Sequence, residues 1–150
     1  MKYLNVLIIA VSFFACSKDE TIQNPEKTSL AQLEELIFSG CKGNKATFGN
    51  NENILIEPIS EGKIKVTHQN VMFNCCIEEP NIKFNIKGNT IQVDESTSAP
   101  VCNCICPYDV ELLIDSLEPG IYNFILTYEN LQKIKLSFKI PLKESLQSEI

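Results

Sequence analysis

From Cys102 to Ile114 the chain alternates so regularly that its backbone has few options. Cys102, Cys104, Cys106, Tyr108, Val110, Leu112 and Ile114 occupy every second position. Successive side chains of an extended strand point to opposite faces, so these residues share one face. The three thiols then stand about 7 Å apart, and the outer two about 13 Å apart. One tetrahedral metal needs all its sulfurs about 2.3 Å from the centre. An extended CxCxC therefore meets separate partners more readily than one ion. The cysteines available to it are Cys41 and the adjacent pair in Phe73-Asn74-Cys75-Cys76. Neighbours on a strand face opposite ways, so one of Cys75 and Cys76 is expected at a strand end or bulge. The expected arrangement links Cys75 and Cys76 to two of the CxCxC thiols and Cys41 to the third. The alternative is a soft-ligand site for zinc or copper(I), built from His68, Cys75, Cys76, Cys102, Cys104 and Cys106. Neither a paired CxxC nor a Cys/His finger spacing is present. Disulfides are the expectation, with no cofactor and no metal.

The N-terminus bears on the redox state. Lys2 precedes an apolar run, Leu4 and Val6 to Val11, followed by Ser12-Phe13-Phe14-Ala15-Cys16. A basic start, a short apolar core and a small residue before a cleavage point make a secretory signal. The run is too short to span a bilayer. Ala15-Cys16 resembles the cleavage site of bacterial lipoproteins, in which the cysteine is lipidated and becomes the new N-terminus. Phe13 stands where the strict pattern has an aliphatic residue, which resembles the looser form in Bacteroidota. Lys18-Asp19-Glu20 resembles the signal that sends lipoproteins of that phylum to the outer face of the outer membrane. This implies a signal peptide at 1–15, lipid on Cys16 and a location on the cell surface, with the periplasmic face as the alternative. The chain has seven cysteines. Lipid on Cys16 leaves an even set, as a disulfide framework in an exported protein requires.

Residues 16–28 are polar and aperiodic, and read as a flexible tether. The expected domain spans 29–142, and 143–150 is expected to be a C-terminal tail. Ser29-Leu30-Ala31-Gln32 resembles a capping box. Leu30, Leu33, Leu36 and Ile37 follow at helical spacing and Gly40 can stop a helix. A short N-terminal helix is therefore predicted. From Ile54 the period becomes two. Ile64, Val66 and His68 alternate with polar residues, as do Ile82, Phe84 and Ile86, then Ile91 and Val93, then Tyr122 to Tyr128, then Ile134 to Ile140. Gly88-Asn89 reads as a two-residue hairpin turn, Glu129-Asn130 as another turn, and Pro141 as a strand end. Short strands with one buried face each predict a single antiparallel β-sandwich. Leu117-Glu118-Pro119-Gly120-Ile121-Tyr122 resembles the approach to a late strand of immunoglobulin-like domains.

Composition removes some functions. Loss of residues 1–15 takes away Lys2 and no acid, moving the formal charge from -6 to -7. The chain has no arginine, the residue best suited to phosphate and guanine. An acidic, arginine-free domain is a poor nucleic-acid binder. No catalytic set emerges, because pairing of the cysteines leaves no thiolate near His68, the single histidine. His68 ends an alternating strand on its apolar side and reads as a satisfied core or edge histidine. Glu78-Glu79 and Asp94-Glu95 read as solvated charge. Asp115-Ser116-Leu117 matches a three-residue O-glycosylation sequon, which makes Ser116 a glycan candidate. Phe73 to Cys76, Cys102 to Asp109 and Gly120 to Tyr122 together resemble small cysteine-rich lipoproteins of Bacteroidota. That resemblance implies the sandwich and the surface location, and brings no activity. The expected function is non-enzymatic binding or structure, accessory to nutrient uptake or adhesion. The membrane enters as a partner only through the anchor. The alternative is metal handling or thiol redox chemistry at the CxCxC cluster.

Overall fold

The structure, a computed structural model, describes residues 30–43, 51–98, 102–128 and 131–150. Its strands are β1 (Gln32–Phe38), β2 (Asn53–Ser60), β3 (Lys63–Asn74), β4 (Asn81–Lys87), β5 (Thr90–Ser96), β6 (Ile105–Asp115), β7 (Gly120–Tyr128), β8 (Leu131–Ile140) and β9 (Leu146–Glu149). They form two sheets, ordered β1-β6-β3-β2-β9 and β4-β5-β7-β8. Alternate residues of each strand turn inward. Ile54, Ile56, Ile64, Val66, Leu112 and Ile114 of the first sheet share one buried cluster with Ile91, Val93, Phe124, Leu126, Ile134 and Phe138 of the second. The two sheets therefore pack face to face, as the period-two pattern predicts. One pair departs from the antiparallel expectation: β5 and β7 run parallel. A parallel pair needs a crossover, and here the connection passes through β6 in the opposite sheet.

The N-terminal helix is not formed. Residues 32–38 are the edge strand β1, paired with β6. The register explains the false signal. Leu33 lies opposite Ile114, Leu36 opposite Leu112 and Phe38 opposite Val110, with a shift between Leu33 and Glu35. Residues directly opposite each other share a face, so the core-side positions run 33, 36, 38, with Leu36 still 40% exposed at this sheet edge. One extra residue at a β-bulge turns a spacing of two into three. A spacing of three is what a helix face also shows. The predicted tail differs as well, because β9 pairs with β2 and carries the first sheet beyond residue 142. The Glu129-Asn130 turn, Cys16, Lys18, Asp19 and Glu20 lie outside the described residues.

Gly62, in the β2–β3 turn, has a φ of +74°. A Cβ there would come within 2.7 Å of the Leu117 carbonyl oxygen. That approach is used, since the Leu117 N–H donates to the Gly62 carbonyl at 2.9 Å. Gly62→Ala is expected to destabilise the domain by about 1–3 kcal/mol, from the left-handed backbone and the contact together. A urea midpoint measures it, and an unchanged midpoint would show that the turn can move.

Candidate functional site

β3 stops at Asn74, and the side chain of this residue organises the end of the sandwich. Its Nδ2 donates to the Cys102 carbonyl at 2.7 Å. Its Oδ1 accepts from the backbone N–H of Cys102 and of Cys76, each at 3.1 Å. The Tyr108 hydroxyl donates to the Asn74 carbonyl at 3.2 Å, and the Cys75 N–H to the Cys104 carbonyl at 3.2 Å. These bonds set the 74–76 turn against the 102–104 segment. Three disulfides close there: Cys41–Cys106, Cys75–Cys104 and Cys76–Cys102, with Cα–Cα separations of 5.8, 5.7 and 6.0 Å. Only Cys106 lies within β6 and is buried, whereas Cys102 and Cys104 precede the strand. Below them Phe38, Phe73 and Tyr108 pack with Tyr128. Burial pushes the Tyr108 hydroxyl upward.

With all six thiols bonded to each other, this end offers neither a nucleophilic thiolate nor a soft ligand set. Among the described residues no group of three or more His, Cys, Asp or Glu is placed to hold a metal. The soft-ligand alternative loses its sulfurs to the disulfides.

A second polar group sits where β3 bulges. His68 lies opposite Val110 and Val71 opposite Tyr108, so Gln69 and Asn70 face Asp109 alone. Asn70 has a φ of +58°. Asp109 Oδ1 accepts from the Asn70 N–H at 3.0 Å and from Lys42 Nζ at 2.5 Å, and Lys42 also donates to Asn70 Oδ1 at 3.0 Å. The Asp109 N–H donates to Ser39 Oγ at 2.8 Å. Asp109 thus fixes both the bulge and the segment carrying Cys41. The bulge also explains why the strict alternation ends near His68 although the strand continues to Asn74.

His68 itself points into the core and is 1% exposed. Its Nδ1 is 2.7 Å from Glu95 Oε2, and its Nε2 is 2.9 Å from Glu52 Oε1. Glu95 belongs to β5, so this contact joins the two sheets across the core. Burial alone would lower the His68 pKa, but the hydrogen bonds and charges of Glu52 and Glu95 outweigh it and hold the value at about 9. The hydrogen bond from His68 lowers the Glu52 pKa; burial opposes this, and the charges of His68 and Lys133 assist it. At neutral pH the imidazole is a cation donating both N–H groups. It has no lone pair left for a metal or for proton abstraction.

The assignment of Glu95 as solvated charge is overturned, since Glu95 is 1% exposed. Its place in the alternation is the signal: Ile91, Val93 and Glu95 share the inward face of β5. One oxygen, Glu95 Oε1, is buried without a hydrogen-bond partner. Glu78 and Glu79 are exposed, as expected. Ser116 is exposed at a left-handed turn, with a φ of +61°.

Comparison with known proteins returns no matching family model, no matching curated protein and no matching solved structure.

Proposed function

We propose that this chain is an exported, lipid-anchored binding domain of the bacterial outer surface, stabilised by disulfides and without enzymatic activity. The observation that carries this is the cysteine balance. Six cysteines pair with each other, which leaves Cys16 as the seventh, directly after Ala15 in a signal-like segment. An oxidising compartment is where such bonds persist. Further support comes from His68, whose protonated, doubly bonded state suits a structural role. Lys18, Asp19 and Glu20 support display on the outer face. The immunoglobulin-like type draws support from the Pro119-Gly120 entry to β7 and the buried Tyr122, while the parallel β5–β7 pair sets it apart from wholly antiparallel immunoglobulin sheets.

Cys16→Ala tests the anchor. Wild type is expected in the detergent phase on Triton X-114 partition, with an N-terminal lipid mass. The variant is expected in the aqueous phase or as the unprocessed precursor. Equal partition of both forms sinks the proposal.

A further inference from the structure

Two of the three disulfides follow from strand pairing, and the third does not. The Ser39 N–H donates to the Asp109 carbonyl and the Lys42 N–H to the Pro107 carbonyl, each at 3.0 Å. These bonds continue β1 along β6 and bring Cys41 to Cys106. In the β3–β6 ladder Phe73 lies opposite Cys106, and Asn74 opposite Ile105. One step further, that register sets Cys75 opposite Cys104. There the two are bonded, and the Cys75 N–H donates to the Cys104 carbonyl at 3.2 Å. The next step would set Cys76 opposite Asn103, yet Cys76 is bonded to Cys102. Residues directly opposite share a face, and neighbours along a strand point to opposite faces. A continued ladder would therefore hold Cys76 and Cys102 on opposite sides of the sheet.

Chain entropy does not select this bond. Cys75–Cys104 and Cys76–Cys102 span separations of 29 and 26 residues, and exchanging partners closes loops of nearly the same lengths. The cost of loop closure varies only with the logarithm of length, so it hardly changes. The side chain of Asn74 does discriminate. Its Oδ1 accepts from the N–H groups of Cys76 and Cys102, and its Nδ2 donates to the Cys102 carbonyl. One half-buried amide grips the backbone at both ends of a single disulfide. Asn74 is itself held in place, because its carbonyl accepts from the Tyr108 hydroxyl at 3.2 Å and from the Ile77 N–H at 3.3 Å. That turn ends the ladder and supplies the offset of one residue.

We infer that Asn74 is a positioning residue for oxidative folding, which brings Cys76 to Cys102 before their bond forms. Its hydrogen bonds go to backbone groups and need no sulfur, so they can precede closure. With a disulfide oxidant such as oxidised glutathione, one cysteine thiolate attacks the oxidant's S–S bond and releases one glutathione thiol. The second cysteine thiolate then attacks the mixed disulfide, forms Cys76–Cys102 and releases the other. The protein gives up two electrons and two protons, and the oxidant leaves as two thiols. Asn74 contributes by proximity alone.

The test reoxidises the full chain with oxidised glutathione after complete reduction, every form carrying Cys16→Ala so that six thiols take part. Samples are trapped with iodoacetamide over time. Mass spectrometry, with fragmentation between Cys75 and Cys76, locates free and bonded cysteines. Asn74→Ala is expected to slow closure of Cys76–Cys102 by about tenfold or more, since three hydrogen bonds are lost. Alkylated Cys76 and Cys102, or the exchanged pairs Cys75–Cys102 and Cys76–Cys104, are expected to accumulate. Cys41–Cys106, set by the β1–β6 register, is expected to close at the wild-type rate and reports that the variant folds. Asn74→Asp keeps the acceptor shared by the two N–H groups and is expected to fall between wild type and Asn74→Ala. Asn103→Ala, an exposed change in the same segment, is the control and is expected to match wild type. Wild-type rate and pairing in Asn74→Ala overturn the inference. Equal slowing of all three bonds also overturns it, because Asn74 would then support the fold in general. So does an Asn74→Asp variant as slow as Asn74→Ala.

Discussion

Reduction of the folded protein is expected to lower its melting temperature by about 20–30 °C. In the chain-entropy account a disulfide stabilises by restricting the unfolded chain, by about 3–4 kcal/mol for loops of the lengths found here. Cys41–Cys106 spans a separation of 65 residues, Cys75–Cys104 of 29 and Cys76–Cys102 of 26. The last two are nested and nearly coincident. Once one has closed, the other confines almost no additional chain. The set is therefore expected to contribute about 7–9 kcal/mol, comparable to the whole stability of an ordinary domain. A sharper consequence separates the bonds. Cys41→Ala/Cys106→Ala is expected to lower the melting temperature by about 10 °C or more, while Cys76→Ala/Cys102→Ala, with Cys75–Cys104 intact, lowers it by only a few degrees. Calorimetry of oxidised, reduced and variant proteins decides this. Equal losses in the two double variants would show that the nested bonds act through local packing instead.

The second large effect lies in the core. His68→Leu leaves the Glu95 carboxylate buried without its cationic partner and is expected to destabilise the domain by about 3–5 kcal/mol. The double variant His68→Leu/Glu95→Leu removes both charges and is expected to recover much of that loss, because a buried pair replaced by apolar residues is often neutral. The pH dependence follows from the direction of each shift. The folded His68 pKa, about 9, exceeds the ordinary histidine value of 6.5. Its contribution is therefore complete below about 6.5 and is lost as pH rises through about 9. A raise of that size corresponds to roughly 3 kcal/mol. Glu52 is shifted the other way, from a usual value of 4.5. Its contribution is present above that value and is lost as pH falls through the lowered folded value. Denaturant midpoints are expected to be highest between these limits and to fall between about pH 7 and 9. In the double variant the alkaline fall should vanish. Persistence of the same fall there would assign it to another group.

Most of the strands were legible because one face of each strand is buried and the other is wet. The runs Ile82–Ile86 and Ile134–Phe138 carry that contrast in every residue pair. The errors arise where a bulge breaks the period. At β1 the extra residue between Leu33 and Leu36 imitates a helix face. At β3 the residues Gln69 and Asn70 hide a strand that continues to Asn74. Glu95 misleads because a charged residue suggests solvent, although its position in phase with Ile91 and Val93 points inward. Its partner lies in the other sheet, and no local pattern marks a contact between residues 68 and 95.

β6 inserts between β1 and β3, and it also lies within the crossover between the parallel neighbours β5 and β7. A chain synthesised N-terminus first must therefore wait. The β2–β3 and β4–β5 hairpins can form early, but each keeps an open edge until residues 105–128 arrive. The first sheet cannot join β1 to β3 without β6, and the second lacks its half until β7 follows. Neither sheet can then serve as a finished template for the other, and the molecule closes as a zipper whose slider is the segment that carries Cys102, Cys104 and Cys106.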